Sequence, residues 1–330
     1  MNNFNQYLRF TREEWRSFLK STAFACNADN NFRDTCFYQQ AKESVISLKE
    51  IKEIYLPLSQ LLSIYVTAQQ VSRIYDNSMK LKPKIPYIIG ISGSVVAGKS
   101  TTSQVLKILL SRCPNHPNVK IVTTDGFLYS NARLARQGLM NKKGFPESYN
   151  MKYLLQVFHA IKSGERNVPI PIYSHHYYDV IPDKYEIVNQ PDIVIFEGLN
   201  LLKTFTRKLY RDDTNNSRAS VSNFFDFFVI IDAKVAIIKN WYIDRILSFW
   251  YGIFRSPDAY FHYLTSYSKK DVVMFAKKKW KETNEVNFLK NILPFRYCAQ
   301  LILEKTDDHS VQKIYLKKAA VNIRIQQQTV

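Results

Sequence analysis

Cysteine is scarce in this sequence of 330 residues, and its four cysteines form no CxxC pair. They stand far apart, at Cys26, Cys36, Cys113 and Cys298. Scattered cysteines are typical of reduced thiols in a cytosolic protein rather than of a disulfide framework. The sequence therefore predicts a cytoplasmic protein.

Long apolar segments are also missing. The first residues, MNNFNQYLRFTREEWRSF, are polar and aromatic and do not resemble a signal peptide. No segment reaches the roughly 18 uninterrupted apolar residues of a membrane span. Internal repeats and low-complexity linkers are absent as well, so we expect one soluble domain with no membrane partner.

Acidic residues are few: 28 Asp and Glu stand against 46 Lys and Arg, a formal net charge of +18. Such a balance favours anionic partners, among them nucleic acid, membrane surfaces and phosphorylated small molecules. The positive charge is spread along the chain, and no zinc-finger, homeodomain or RNA-binding signature is present. The 21 Tyr and 21 Phe, with many Lys, Asn and Ile, match the residue usage of an AT-rich genome. We therefore do not expect nucleic acid as a partner.

Short, nearly all-apolar segments alternate with segments of helical periodicity. This pattern predicts a parallel sheet covered by helices on both faces. The predicted strands are PKIPYIIGIS, VKIVTTD, QPDIVIFEG and FFDFFVIIDA, and the clearest helices cover 47–75 and 101–112. The fold class is therefore α/β, a doubly wound, mostly parallel sheet. One domain over 1–330 would comprise a helical N-terminal extension (1–82) and a core (83–330), with a mobile polar loop at 204–222.

One glycine-punctuated segment fits the phosphate-loop pattern G-x-x-x-x-G-K-[ST]. It consists of Gly93, Ser94, Val95, Val96, Ala97, Gly98, Lys99 and Ser100. A predicted strand precedes it and an amphipathic helix follows, so backbone N–H groups and the helix N-terminus would converge on one concavity. Lys99 would bridge the β- and γ-phosphates, and the Ser100 hydroxyl would ligate Mg²⁺. The segment predicts a nucleotide-phosphate site.

Two acidic residues end predicted strands. Asp125 ends VKIVTTD, and Glu197 ends the apolar segment DIVIFE. Ligands of doubly wound sheets bind at the carboxyl ends of the strands, so both side chains should face one crevice. Carboxylate oxygens suit Mg²⁺, which makes Glu197 a candidate metal ligand beside Ser100.

Phosphate loops serve both switches and kinases. No guanine-reading N-K-x-D segment is present, which argues against a GTPase. A transferase needs a residue that positions or deprotonates the acceptor hydroxyl, and cations that offset charge on the γ-phosphoryl group. Asp125 can serve the first role, and Arg245, one helical turn beyond Tyr242, the second. Residue spacing alone leaves a phosphate-loop phosphotransferase whose acceptor is open.

A series of segments, in order along nearly the whole chain, resembles the bacterial type I pantothenate kinases. The segments are YLRFTREEW, EIYLPLSQLL, IPYIIGISGSVVAGKSTT, TTDGFL, GLMNKKGFPESYN, YSHHYYDVIPD, QPDIVIFEGLN, DAYFH, NILPF and LILEK. The resemblance implies phosphorylation of pantothenate at its 4′-hydroxyl by ATP and Mg²⁺, the first step of coenzyme A synthesis. It also implies a homodimer, through the helix after the phosphate loop, and inhibition by coenzyme A.

The resemblance assigns roles to particular residues. Lys99, Asp125 and Arg245 would be catalytic. The nucleotide would be held by the loop residues 93–100, Thr101, Lys305 and His309, the last two lying against the adenine. Pantothenate would be bound by Asp125, His175, Tyr242 and Asn284 and by an apolar wall of Phe249, Phe254 and Phe261.

Three positions depart from the family pattern. Gln104 stands where the family has a basic residue that supports coenzyme A inhibition, so we expect weaker inhibition here. Glu43 replaces an uncharged residue on the adenine side, and Leu264 replaces an aromatic residue near the pantothenate tail. Neither affects the expected reaction type.

Other functions fit parts of the sequence. Uridine kinases and phosphoribulokinases share the phosphate loop and the strand-end acids, but GFPESYN, YSHHYYDVIPD and the long helical N-terminus disfavour them. A nucleotide-gated nucleic-acid-binding protein would use the +18 charge and would show salt-sensitive duplex binding. A catalytically dead paralogue is disfavoured by the presence of Lys99, Asp125 and Arg245.

Overall fold

The computed structural model describes residues 3–20, 46–76, 84–113, 118–202 and 224–321. The loop predicted at 204–222 and the departure at Glu43 lie outside these residues. No helix within them has the length and apolar content to span a membrane.

The main sheet has seven strands in the order β1-β9-β8-β7-β2-β6-β3. A separate antiparallel hairpin is formed by β4 and β5. The strands are β1 (Tyr7–Thr11), β2 (Tyr87–Gly93), β3 (Val119–Thr123), β4 (Val168–Ser174), β5 (Asp179–Val188), β6 (Ile193–Gly198), β7 (Phe227–Asp232), β8 (Leu301–Lys305) and β9 (Val311–Lys317). Five strands of the main sheet pair in parallel, and β9 and β1 extend it antiparallel. The doubly wound, mostly parallel α/β fold is confirmed.

Helices follow most of the parallel strands. They are α1 (Arg12–Lys20), α2 (Leu48–Glu50), α3 (Leu56–Asp76), α4 (Lys99–Leu110), α5 (Asn131–Arg136), α6 (Met151–Lys162), α7 (Val235–Tyr251), α8 (Lys269–Lys279), α9 (Glu285–Asn287) and α10 (Lys318–Val321). A π-helical turn, Ile51–Tyr55, joins α2 to α3 without a break, and another, Trp280–Asn284, joins α8 to α9. The predicted helix around Pro57 is thus present.

Apolar clusters cover both faces of the main sheet. Alternate residues of β2 point to opposite faces, so Ile89 packs with one cluster and Ile88 with the other. The first cluster holds the apolar face predicted for α4: Val105, Leu106, Leu109 and Leu110 are all buried. Two smaller clusters lie between α7, α8 and the segments after them, and these form a wall over the carboxyl ends of the strands.

The N-terminal region is not helical throughout. Its strand β1 pairs antiparallel with β9, Tyr7 opposite Lys317, so the two ends of the chain close one edge of the sheet. The Tyr7 hydroxyl donates to the carbonyl oxygen of Ala299 at 2.7 Å, which ties β1 to the segment before β8. The predicted extension (1–82) therefore adds a strand to the core sheet as well as helices.

Candidate active site

A cavity of about 750 Å³ opens at the carboxyl ends of β2, β3 and β6. The phosphate loop and the strand ends form one side, and α7 with the segment after it forms the other. The predicted residues that line the cavity are Val95, Val96, Lys99, Ser100, Asp125, His175, Glu197, Tyr242, Arg245, Phe249, Phe254, Phe261 and Asn284. The proposed catalytic and acceptor-binding residues are thus brought together.

The phosphate loop turns sharply because its glycines adopt conformations that other residues rarely adopt. Gly98, immediately before α4, has φ +92°. A Cβ on Gly93 would stand 2.5 Å from the carbonyl oxygen of Ile231 in the neighbouring strand β7. The Lys99 ammonium donates to the carbonyl oxygen of Ser94 at 2.8 Å, across the loop. The loop therefore leaves its concave side open at the N-terminus of α4, where an anion is stabilised.

Ser100 and Glu197 meet at the floor of the cavity. The Ser100 hydroxyl lies 2.9 and 3.1 Å from the two carboxylate oxygens of Glu197. Burial raises the pKa of Glu197, while the nearby charge of Lys99 lowers it. A hydroxyl beside a carboxylate is the hard oxygen donor set that Mg²⁺ prefers when nucleotide phosphates and waters supply its other ligands. The residues present fit that ion.

Asp125 lies beyond β3, in the short 3₁₀ turn Thr124–Phe127. The negative charge of Asp125 acts on three basic side chains, Lys99, His175 and Arg245. Burial lowers the pKa values of all three, and the charge of Asp125 raises them. A carboxylate among these groups can accept a proton from an acceptor hydroxyl, and the cations around it can offset charge on a transferred phosphoryl group.

The far end of the cavity is aromatic. Phe254 lies between Phe249 and Phe261, with ring centroids 5.7 and 5.1 Å away. Tyr242 stands nearer the phosphate loop, with the Asn284 side chain beside its hydroxyl, and burial raises the pKa of Tyr242. Asn284 ends a π-helical turn, a departure from α-helix that often occurs at functional positions. The cavity therefore offers an apolar wall and polar groups to one elongated ligand.

Sequence reasoning missed a buried cation in this cavity. The Lys143 ammonium donates to Asn131 Oδ1 at 2.6 Å and to the carbonyl oxygen of Tyr178, and it lies 3.9 Å from the centroid of the Tyr178 ring. Burial lowers the pKa of Lys143 to about 8. The segments NKKGF and YSHHYYD, which contain Lys143 and Tyr178, belong to the family resemblance. No residue spacing, however, identifies Lys143 as a buried cation. Other lining residues that were not predicted are Thr123, Met140, Asn141, Tyr173, Gly198, Leu199, Ile246, Tyr260, Tyr263, Phe275, Lys279 and Thr283.

The predicted adenine-side residues do not line the cavity. His309 stacks on Trp241, with ring centroids 4.1 Å apart and an interplanar angle of 16°. Lys305 reaches the phosphate loop from β8: its Nζ lies 2.7 Å from the position that a Cβ on Gly98 would take. Lys305 thus borders the phosphate loop from the end of β8, whereas His309 packs against Trp241 of α7.

Two of the positions that depart from the family pattern are described, and neither lines the cavity. Gln104 is exposed on α4. Leu264 is buried, and its carbonyl oxygen accepts from Trp250 Nε1 at 2.8 Å.

Comparisons with known proteins agree with the fold and the site described above. Residues 88–248 match the model of the phosphoribulokinase / uridine kinase family. A Silicibacter sp. TM1040 protein, provisionally described as a fructose transport system kinase, superimposes with a TM-score of 0.51 at 20% identity, covering 70% of this chain and 90% of that one. That likeness shows the phosphate-loop kinase fold.

Curated relatives are much closer in sequence. A pantothenate kinase of Coxiella burnetii (strain RSA 331 / Henzerling II) is 55% identical over 320 residues, 96% of this chain and 98% of the relative. A pantothenate kinase of Allorhizobium ampelinum is 42% identical over 320 residues, 96% of this chain and 94% of the relative. With its phosphate loop and strand-end acids in place, this chain belongs to the pantothenate kinase family.

Proposed function

We propose that this protein transfers the γ-phosphoryl group of ATP to the 4′-hydroxyl of pantothenate, the first step of coenzyme A synthesis, in the cytoplasm. The observation that carries this function is the meeting of Lys99, Asp125 and Arg245 in one cavity. That cavity joins a nucleotide-phosphate loop to a compartment for an elongated acceptor, and the close relatives are named for the same substrate.

Asp125 is the proposed base. Its carboxylate accepts the proton of the 4′-hydroxyl as the hydroxyl oxygen attacks the γ-phosphorus and the bond to the β-phosphate oxygen breaks. Lys99 and Arg245 lie close enough to Asp125 for their charges to act on it. Both cations offset the negative charge that the transferred group and the leaving ADP carry.

Ser100 and Glu197 would hold Mg²⁺ with the nucleotide phosphates. When bound, the ion neutralises phosphate charge and orients the β- and γ-phosphates. The chain's own contribution is to place a hydroxyl and a carboxylate side by side at the end of β6 and the start of α4.

Pantothenate carries a carboxylate, an amide and hydroxyl groups, and the acceptor compartment offers matching polar groups. His175, Tyr242 and Asn284 can bond its polar backbone, while the phenylalanine wall packs against its apolar part. Burial lowers the pKa of His175, which favours the neutral ring, and a neutral imidazole can both donate and accept. Coenzyme A inhibition and a homodimer remain part of this proposal on the strength of the family resemblance.

An ADP-release assay with Mg-ATP tests the proposal by comparing pantothenate, uridine and ribulose 5-phosphate as acceptors. We expect turnover with pantothenate alone and a loss of at least about 100-fold in Asp125→Asn. Asp183→Asn, an exposed position on the hairpin, is the matched control and should turn over normally. Turnover with uridine or ribulose 5-phosphate instead would overturn the assignment of the acceptor.

A further inference from the structure

A buried ammonium faces the phosphate loop from outside the cavity. Lys305, the last residue of β8, is only 5% exposed. Its Nζ points at the backbone of Gly98, 2.7 Å from the position of a Cβ there. Within the described ranges, Nζ has no hydrogen-bond acceptor and no ion pair. The residue is largely buried, and an ammonium in such a place without a protein acceptor needs water or a ligand to complete its surroundings; an anion held by the phosphate loop would do so.

The negative charge that acts on Lys305 comes from Glu50, the last residue of α2. Glu50 is also only 5% exposed, and its Oε1 accepts from the backbone N–H of Val311 at 3.0 Å. It thereby ties the N-terminal helices to the start of β9, directly after the turn that follows Lys305. Burial lowers the pKa of Lys305 and the charge of Glu50 raises it, so this carboxylate favours the charged amine.

The neighbourhood of Lys305 suits a phosphate better than a base. Gly98 belongs to the loop whose N–H groups cradle phosphates, whereas adenine carries no charge for an ammonium to match. The stacked rings of His309 and Trp241 form a separate flat surface on the same turn. An ammonium that has no protein acceptor and lies against an anion-binding loop is placed to bind an anion.

We propose that the Lys305 ammonium is a phosphate ligand of the bound nucleotide and that Glu50 is a positioning residue that holds it at the loop. This inference uses only the nucleotide half of the proposed function. It gives Lys305 a role different from the adenine contact implied by the family resemblance. It also makes the N-terminal helices part of the nucleotide site.

Calorimetry with three probes separates phosphate from base recognition. The probes are ADP with Mg²⁺, tripolyphosphate with Mg²⁺, and adenosine, each titrated into wild type and Lys305→Met. We expect ADP and tripolyphosphate to bind about 10- to 100-fold more weakly to the variant, the loss of one charge-assisted hydrogen bond, with adenosine binding unchanged. Unchanged tripolyphosphate binding would overturn the proposal, whether or not ADP or adenosine binding weakens. Lys313→Met, which removes a half-exposed lysine from β9, is the charge-matched control.

Glu50→Gln tests the positioning role, because the amide oxygen still accepts from Val311 while the charge is lost. We expect KM for ATP to rise about 10-fold with kcat and KM for the acceptor retained. In the Lys305→Met background the same change should have no further effect on ADP affinity. If the losses of ADP affinity in Glu50→Gln and Lys305→Met add in the double variant, the proposed coupling of the two residues is overturned. ADP binding does not require pantothenate. The effect of these variants on ADP affinity can therefore be interpreted even if the protein does not phosphorylate pantothenate.

Discussion

The Ser100 hydroxyl lies within hydrogen-bond distance of both carboxylate oxygens of Glu197, at 2.9 and 3.1 Å. The contact joins the first turn of α4 to the end of β6, two elements that sequence patterns placed only in the same crevice. It holds two hard oxygen donors together, an arrangement that would reduce the cost of assembling the proposed magnesium site.

This contact predicts the behaviour of Glu197→Gln. The amide keeps the shape and can still accept from Ser100, but it removes the charge that a divalent cation needs. We expect kcat to fall about 100- to 1,000-fold, the loss of several kcal/mol of metal-assisted stabilisation. Because burial raises the pKa of Glu197, the unfolding temperature should not fall with the activity. Activity assays over a range of Mg²⁺ concentrations, with thermal unfolding of both proteins, provide the measurement. A variant with normal kcat at low Mg²⁺ would exclude Glu197 as a ligand.

The close packing at Gly126 predicts that a substitution at this position lowers the rate of catalysis. A Cβ at this position, next to Asp125, would stand 2.0 Å from the carbonyl oxygen of Pro171 in β4. In Gly126→Ala the backbone must move, and a shift of about 1 Å at a catalytic carboxylate can cost about 100-fold in rate. We expect kcat to fall by at least about 10-fold, measured at a temperature at which the protein is folded.

Gly90→Ala is the matched control for Gly126→Ala. Its Cβ would stand 2.3 Å from a ring carbon of Phe228, so the unfolding free energy should fall by about 1–3 kcal/mol through overpacking. Gly90 lies in β2 away from Asp125, so the folded variant should keep its kcat. Equal losses of kcat in both variants would show that instability, not displacement of Asp125, lowers the rate.

Much of the fold could be predicted because its central strands are buried on both faces. Segments such as Ile193–Gly198 are buried throughout and carry no alternation, a pattern that parallel sheets produce, and the candidate metal ligand Glu197 stands one residue before the end of this strand. The hairpin strand Asp179–Val188 was missed because most of its residues are exposed and mixed in character. The strand Tyr7–Thr11 was missed because its partner, Val311–Lys317, lies about 300 residues away.

The candidate site was predictable to the extent that its residues end strands or belong to the phosphate loop. Asp125 and Glu197 follow from the topology alone, since the carboxyl ends of parallel strands share one edge. Lys143 and Tyr178 reach the cavity from loops, and nothing local in the sequence distinguishes Lys143 from its exposed neighbour Lys142. Only the packing of Lys143 against Tyr178 and Asn131 reveals it.

Lys143 predicts a pH dependence for acceptor binding. Its pKa is lowered by burial from 10.5 to about 8, so the amine is charged below pH 8 and loses its proton as the pH rises through 8. Pantothenate is an anion, so its KM should rise above pH 8 while KM for ATP changes less. Lys143→Met should raise KM for pantothenate at pH 7 and abolish this rise, and Lys142→Met is the control. Steady-state kinetics between pH 6.5 and pH 9.5 test this, and the same pH profile in Lys143→Met would assign the titration to another group.

The same pKa shift predicts how stability changes with pH. Between about 8 and 10.5 the unfolded chain binds the Lys143 proton and the folded chain does not. Stability therefore rises with pH across this window through Lys143, and the cost of burying the charge is fully present below pH 8. Urea unfolding of wild type and Lys143→Met at pH 7.5 and pH 9.5 isolates the contribution. The difference between the two proteins should shift in favour of wild type at the higher pH, and a shift in favour of Lys143→Met would contradict the assignment.

Gln104 predicts weak inhibition by coenzyme A. The side chain is exposed on α4, one turn beyond Ser100, where the family resemblance places a cation that supports the inhibitor. Without that cation the inhibitor's phosphates lose a partner, whereas ATP keeps Lys99 and the metal ligands. Gln104→Arg should therefore lower the coenzyme A concentration for half inhibition by about 10-fold, the worth of one charge-assisted hydrogen bond, and leave KM for ATP nearly unchanged. Gln104→Met is the control for side-chain size. A titration of coenzyme A at constant ATP decides the matter: potent inhibition of wild type would mean that other residues hold the inhibitor.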